Sequence, residues 1–223
     1  MSHVGRRYDL RSDDKPLRVV VVGQEAPGEK LSMEQRYRAV HDLSGLEKRY
    51  YKDAEHDNRN PHMRGTTSAL RVIFGKGLGH DSAGEWVHPE KGKPFHVFDG
   101  FALVNRLLCF AGPAGTSQGR ATKTMLHNCG TYLSKTLEIL EPTILILQGK
   151  TAASWTETGL TRRRRFTPHL SEAALHDKRV LVCEFSHPSA REPHRWGANL
   201  DSPYLTDVVH PTLRSAVRRL RAE

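Results

Sequence analysis

Residues 17–23, Leu-Arg-Val-Val-Val-Val-Gly, decide the fold. Valine is stiff at its first side-chain torsion and packs well on a pleated surface, so four in succession predict a strand. No polar residue alternates with them, and a strand apolar on both sides belongs in a parallel sheet covered by helices on both faces. Three further runs at 97–105, 143–148 and 179–185 read the same way. Between and after them helical periodicity marks 32–51, 66–74, 120–140, 151–156 and 206–221, the last with Leu213, Val217 and Leu220 as its apolar face. Strands alternating with helices predict an α/β fold, a three-layer α/β/α sandwich around a four-stranded parallel sheet with right-handed crossovers. Residues 52–65 and 75–96, rich in Gly, Pro, His and Asn, read as long loops, which in a compact domain are functional or mobile. No repeat or low-complexity linker interrupts the chain, and 223 residues with 37% hydrophobic content fit one domain with its own core.

The charge balance narrows the function. Lys and Arg number 34 against 25 acidic residues, a formal charge of +9 with a pI near 9.7. The excess gathers late in the chain, at Arg162 to Arg165, Lys178, Arg179, Arg191, Arg195, Arg214, Arg218, Arg219 and Arg221. Such a distribution fits a polyanion binder, and it fits equally a solvated basic surface that aids solubility. A basic segment followed by an apolar leader is absent, as is any apolar run long enough to span a bilayer, so a cytoplasmic protein is expected. Cys109, Cys129 and Cys183 stand far apart without metal-type spacing and read as buried free thiols, with no metal site.

Ligands of open α/β sheets sit outside the carboxyl ends of the strands. The four predicted strands run into Gly23-Gln24-Glu25-Ala26-Pro27-Gly28, into Asn105, into Gln148-Gly149-Lys150-Thr151, and into Ser186-His187-Pro188-Ser189. A nucleotide-triphosphate loop is excluded, because the lysine after Gly28 comes one residue late and is followed by leucine. The Gly-x-Gly-x-x-Gly dinucleotide fingerprint is absent.

Glu-Ala-Pro-Gly after the first strand, Asn at the end of the second, Ile-Leu-Ile-Leu-Gln-Gly-Lys-Thr-Ala-Ala at the third and His-Pro-Ser after the fourth resemble, in order and spacing, the uracil-DNA glycosylase superfamily. The resemblance covers residues 17–190 and is nearest the Gly-Glu-Ala-Pro-Gly branch, family 4-like, which carries an iron-sulfur cluster on four cysteines. Three cysteines cannot supply that set, so no iron-sulfur cluster and no other cofactor is expected. Gln24, inserted between Gly23 and Glu25, makes the motif also similar to the Gly-Gln-Asp-Pro of another branch.

The resemblance implies a monofunctional, monomeric enzyme that binds DNA, flips out a pyrimidine and hydrolyses its N-glycosidic bond, leaving an abasic site. That reaction builds positive charge on the sugar and negative charge on the departing base, so an anion is wanted near the first and donors near the second. Glu25 is expected to steady the sugar and orient a water towards C1′; its plain alternative is a cap on the following helix. His187 is expected to donate to the base oxygen O2, the alternative being a satisfied turn residue. Asn105 offers donor and acceptor to the base edge, or simply ends a strand; Gln24 joins it in the base-binding set. His62 or Met63 stands where relatives stack an aromatic ring on the base. DNA backbone contacts are expected from Ser189 and Arg191 in the His-Pro-Ser loop, from Lys150 and Thr151 at a helix start, and from Arg162, Arg163, Arg164 and Arg165, read with Phe166 as a basic loop. Uracil is the default base. Pro27 and Gly28 stand where another branch has a tyrosine that excludes C5 substituents, which admits a second class, the hydroxymethylated or glucosylated cytosines of phage DNA, and with it a defence rather than a repair role. A non-catalytic DNA-binding or damage-sensing member of the same fold is the remaining reading.

Overall fold

In the computed structural model, residues 3–12, 15–25, 56–89, 92–108 and 121–222 are described. The expected helix at 32–51 and Cys109 lie outside them. The described strands are β1 (His3–Val4), β2 (Leu10–Ser12), β3 (Lys15–Leu17), β4 (Val19–Glu25), β5 (Trp86–Val87), β6 (Phe95–His96), β7 (Phe101–Leu107), β8 (Ile144–Gln148), β9 (Thr161–Thr167), β10 (Leu170–Leu175) and β11 (Lys178–Phe185). The helices are α1 (Pro61–Ile73), α2 (Lys123–Leu140), the short α3 (Lys150–Ala153) and α4 (Thr156–Gly159), and α5 (His210–Arg221), which continues a π-helical turn at Tyr204–Val209.

The main sheet has the order β1-β7-β4-β8-β11-β10-β9. Its centre, β7-β4-β8-β11, is parallel and carries the four strands expected from the sequence. β1 and β10 pair antiparallel with its two edges and β9 pairs antiparallel with β10, so the sheet is mixed and seven strands wide. The valine run shows why the sandwich forms. Val19 and Val21 face a layer made by α1, Trp196 and α5, whereas Val20 and Val22 face α2 and Trp155. All four valines are fully buried, and burying each side chain contributes about 1.5–3 kcal/mol. Ile144 and Ile146 against Leu145 and Leu147 repeat the split on β8. Period-two alternation thus sends one apolar run into two cores.

Three expectations need correcting. Residues 61–65 belong to α1 and not to a loop: Asn60 caps the helix by accepting from the Met63 N–H at 2.9 Å, with Pro61 in the first turn. The arginine run is not a loop either. It forms the edge strand β9, where charged side chains are tolerated and discourage pairing with another chain. The second predicted strand starts as a 3-10 turn at Val97–Asp99, and β7 continues two residues past Asn105.

Chain connectivity fixes where a ligand belongs. From β4 the chain reaches β7 on one side, then crosses to β8 on the other. The crevice between the carboxyl ends of β4 and β8 is therefore the topological switch point of the sheet.

Candidate active site

Gly23, near the end of β4, stands opposite Asn105 in the parallel register of β7. A Cβ on Gly23 would lie 2.8 Å from Asn105 Oδ1 and 3.6 Å from His62 Cε1. Only glycine lets the Asn105 amide and the His62 ring close over the strand at this point. Gln24, next along, folds across the switch point: its Nε2 would be 2.5 Å from a Cβ on Gly149, a residue with φ +97°. Residue 25 is the last of β4, with its backbone paired to Leu107. The side chain of Glu25 lies outside the described residues.

His62 enters from the first turn of α1. Its ring stacks on that of His187 with centroids 5.4 Å apart and planes 13° from parallel. Burial first, and the neighbouring His187 second, push the His62 pKa down to about 4. Taken as a whole residue, His62 is only partly buried. Its Nδ1 is buried without a partner. Met63, the alternative at this position, is buried in the core.

Three contacts hold this end of α1. Thr66 Oγ1 donates to the His62 carbonyl at 3.0 Å and accepts from Gln148 Nε2 at 3.2 Å. Gly65 lies against Pro188 and Trp196, and Gly197 approaches Pro61 O so closely that a Cβ there would stand 1.8 Å from it. Helix α1 is thereby clamped onto the loop that carries His187.

That loop is itself fixed. Trp196 Nε1 donates to Ser186 O at 2.8 Å, Ser186 Oγ to His194 O at 2.5 Å, and the Gly197 N–H to Pro188 O at 2.9 Å. The Ser189 N–H donates to His187 Nδ1 at 3.2 Å. A ring nitrogen that accepts carries no proton, so the proton of a neutral His187 sits on Nε2. Burial lowers the His187 pKa, which favours that neutral form. His187 is thus a neutral imidazole with an Nε2–H donor.

The structure brings Asn105, His62 and His187 together over Gly23, with Gln24 at the neighbouring switch point. Lys150 is exposed and Thr151 half-buried at the start of α3, beyond Gly149; Ser189 and Arg191 are exposed in the His187 loop. The arginines divide. Arg163 is tied to Glu184 Oε1 at 2.5 Å, to Ser171 Oγ at 3.0 Å and to Thr156 Oγ1 at 3.3 Å. Arg164 and Arg219 instead flank the Phe166 ring at 5.3 and 3.7 Å from its centroid. Arg162 reaches Asp177 at 3.9 Å, and Arg165 is exposed. Sequence reasoning passed over Thr66 and Gln148, whose contacts join distant segments that no local pattern links. Among the described residues no group of three or more His, Cys, Asp or Glu is arranged to hold a metal, and Cys129 and Cys183 are buried free thiols. No described helix is long and apolar enough to cross a membrane.

The sequence profile of the uracil DNA glycosylase superfamily matches residues 12–208. No curated protein matches the chain.

Proposed function

Because the chain belongs to the uracil DNA glycosylase superfamily, we propose that it is a monofunctional DNA glycosylase acting at the carboxyl ends of β4, β7 and β8 and the His187 loop. The observation that carries this reading is the Ser189 N–H on His187 Nδ1. It leaves Nε2–H free to donate to the O2 of a flipped pyrimidine as the C1′–N1 bond breaks and the bonding pair stays with the base. A neutral imidazole that gives a hydrogen bond, not a proton, stabilises the anion without being consumed. The Asn105 amide reads the base edge with one donor and one acceptor, Gln24 borders the same crevice, and the neutral His62 ring backs His187. Glu25 steadies the cationic sugar and orients the water that adds at C1′; the proton lost by that water passes to the Glu25 carboxylate and on to solvent. Lys150, Thr151, Ser189, Arg191 and the outward arginines of β9 hold phosphates. The reaction needs no cofactor, in keeping with a member of the Gly-Glu-Ala-Pro-Gly branch that lacks its cysteine set.

Pro27 and Gly28 in place of a tyrosine favour a pocket open at C5, and so a base that is uracil or a C5-modified cytosine of phage DNA. The purified protein should therefore be incubated with uracil-containing, hydroxymethylated and glucosylated DNAs and the released bases identified by mass. Release from the glucosylated or hydroxymethylated sample assigns a defence enzyme; release of uracil alone assigns repair. DNA retarded in a gel without alkali-labile sites in any sample would contradict catalysis and leave a binding protein.

A further inference from the structure

Arg106 lies between Asn105 and Leu107 on β7, so the pleat turns it away from the base site towards α2. It is 5% exposed. Its Nη2 donates to Leu126 O at 2.7 Å, and among the described residues no other acceptor meets the guanidinium; Nε and Nη1 are buried without partners there. A guanidinium has five N–H donors and keeps its charge at any ordinary pH. Burying it unpaired costs several kcal/mol. The same chain shows how a buried arginine is otherwise satisfied: Arg59, equally deep, bonds both oxygens of Glu85 at 2.7 Å and Thr67 Oγ1 at 3.2 Å.

The surroundings of Arg106 suit an anion. Gly130 packs beside it: a Cβ there would stand 3.4 Å from Nη2 and 3.6 Å from Nη1, ordinary contact distance, so no side chain stands between this face of α2 and the guanidinium. The first turn of α2 has Lys123 and no acidic residue, with Thr122 as its cap. The start of α3, with Lys150, packs near β4 and β7. No described carboxylate pairs with Arg106.

We propose that Arg106 is the receptor of a phosphate-class oxyanion, bound behind β7 on the opposite face from Asn105. Two sources share that chemistry, a phosphodiester of the bound DNA strand and free phosphate. The receptor stands independently of the glycosylase reading; only its DNA source rests on it.

The test is thermal unfolding of the wild type, Arg106→Met and Arg106→Gln in sodium phosphate and in sodium chloride at matched ionic strength, with duplex DNA affinity measured against salt. In phosphate the wild-type Tm should rise by about 3 °C or more, with no rise in either variant. In chloride Arg106→Met should be at least as stable as the wild type, because an unpaired buried charge has been removed. If a strand phosphate is the ligand, DNA affinity falls about tenfold in Arg106→Gln and the salt slope drops by about one. A lost phosphate response with unchanged DNA binding assigns free anion, and a reduced salt slope without a phosphate response assigns the strand. Equal phosphate shifts in all three proteins, or no phosphate shift together with identical DNA binding, overturn the receptor. Base release is not part of this readout, so failure of the glycosylase reading would show separately.

Discussion

Two groups of polar side chains among the described residues, one around Glu85 and one around Gly23, are built on opposite rules. At Glu85, every charge has a partner: Arg59 takes both carboxylate oxygens, and His96 Nε2 meets Oε2 at 2.9 Å while its Nδ1 accepts from the Phe98 N–H at 3.2 Å. Burial alone would raise the Glu85 carboxyl, and the hydrogen bonds from His96 and Arg59 outweigh it, so its pKa falls below the usual value. At Gly23, two partly buried imidazoles face each other with no described carboxylate between them, one ring nitrogen is orphaned, and both pKa values are pushed down. A satisfied network of the first kind ties Arg59, Thr67, Glu85, His96 and Phe98 to one another. An unsatisfied one persists because the surrounding structure enforces it, and groups of that kind gather at functional sites.

The comparison can be broken most forcefully at Glu85. Replacing it with Ala takes both carboxylate oxygens from the buried Arg59 guanidinium and should destabilise the fold by about 3–5 kcal/mol. Calorimetry should then register a Tm lower by roughly 6–20 °C; an unchanged Tm would deny the cluster its structural role. At the other cluster the effect should fall on rate instead. His187→Ala is expected to cut base release by about two to three orders of magnitude with the Tm within a few degrees of wild type, and Glu25→Gln by at least about two orders, both read as abasic sites formed per minute.

Acid should separate the clusters next. The pKa of His62 in the folded state, about 4, lies below its unfolded value of 6.5. The unfolded chain therefore binds a proton between those values while the folded chain does not, and stability is lost as pH falls through that window. His62→Gln should remove this loss, on the order of 3 kcal/mol by pH 4. Parallel unfolding curves for both proteins between pH 7 and 4 would show that His62 is not held neutral. The smallest effect sharpens the arginine assignment. Arg164→Ala should lower the salt slope of DNA binding by about one, while Arg163→Ala, tied to Glu184, should leave the slope unchanged and lower stability slightly. The reverse pattern would exchange their roles.

The central sheet was legible because the valine and isoleucine runs have no other use than burial on both faces. Strand β9 was not: Thr-Arg-Arg-Arg-Arg-Phe-Thr shows no apolar alternation, and its pairing is specified by β10 across a hairpin. The start of α1 carried a readable signal, an Asn cap followed by Pro, hidden in a stretch whose Gly, Pro and His content suggested a loop. Within the candidate site, strand-end logic pointed to Gly23, Asn105 and His187, which the fold brings near one another. It could not supply the stacking of His62 on His187 or the Thr66–Gln148 link, because both depend on how α1 docks. Arg106 escaped notice for a different reason: beside an expected base-reading residue, one more arginine in a basic chain is unremarkable until its burial is known.

The proposed mechanism turns on where His187 keeps its proton. A nitrogen-15 NMR titration of histidine-labelled protein, free and bound to DNA carrying a non-hydrolysable 2′-fluorinated nucleotide, reads this directly. The expected result is a neutral ring protonated at Nε2 from pH 8 to below 6.5, with the Nε2 signal shifting when DNA binds. A proton on Nδ1, or an imidazolium at neutral pH, would contradict it.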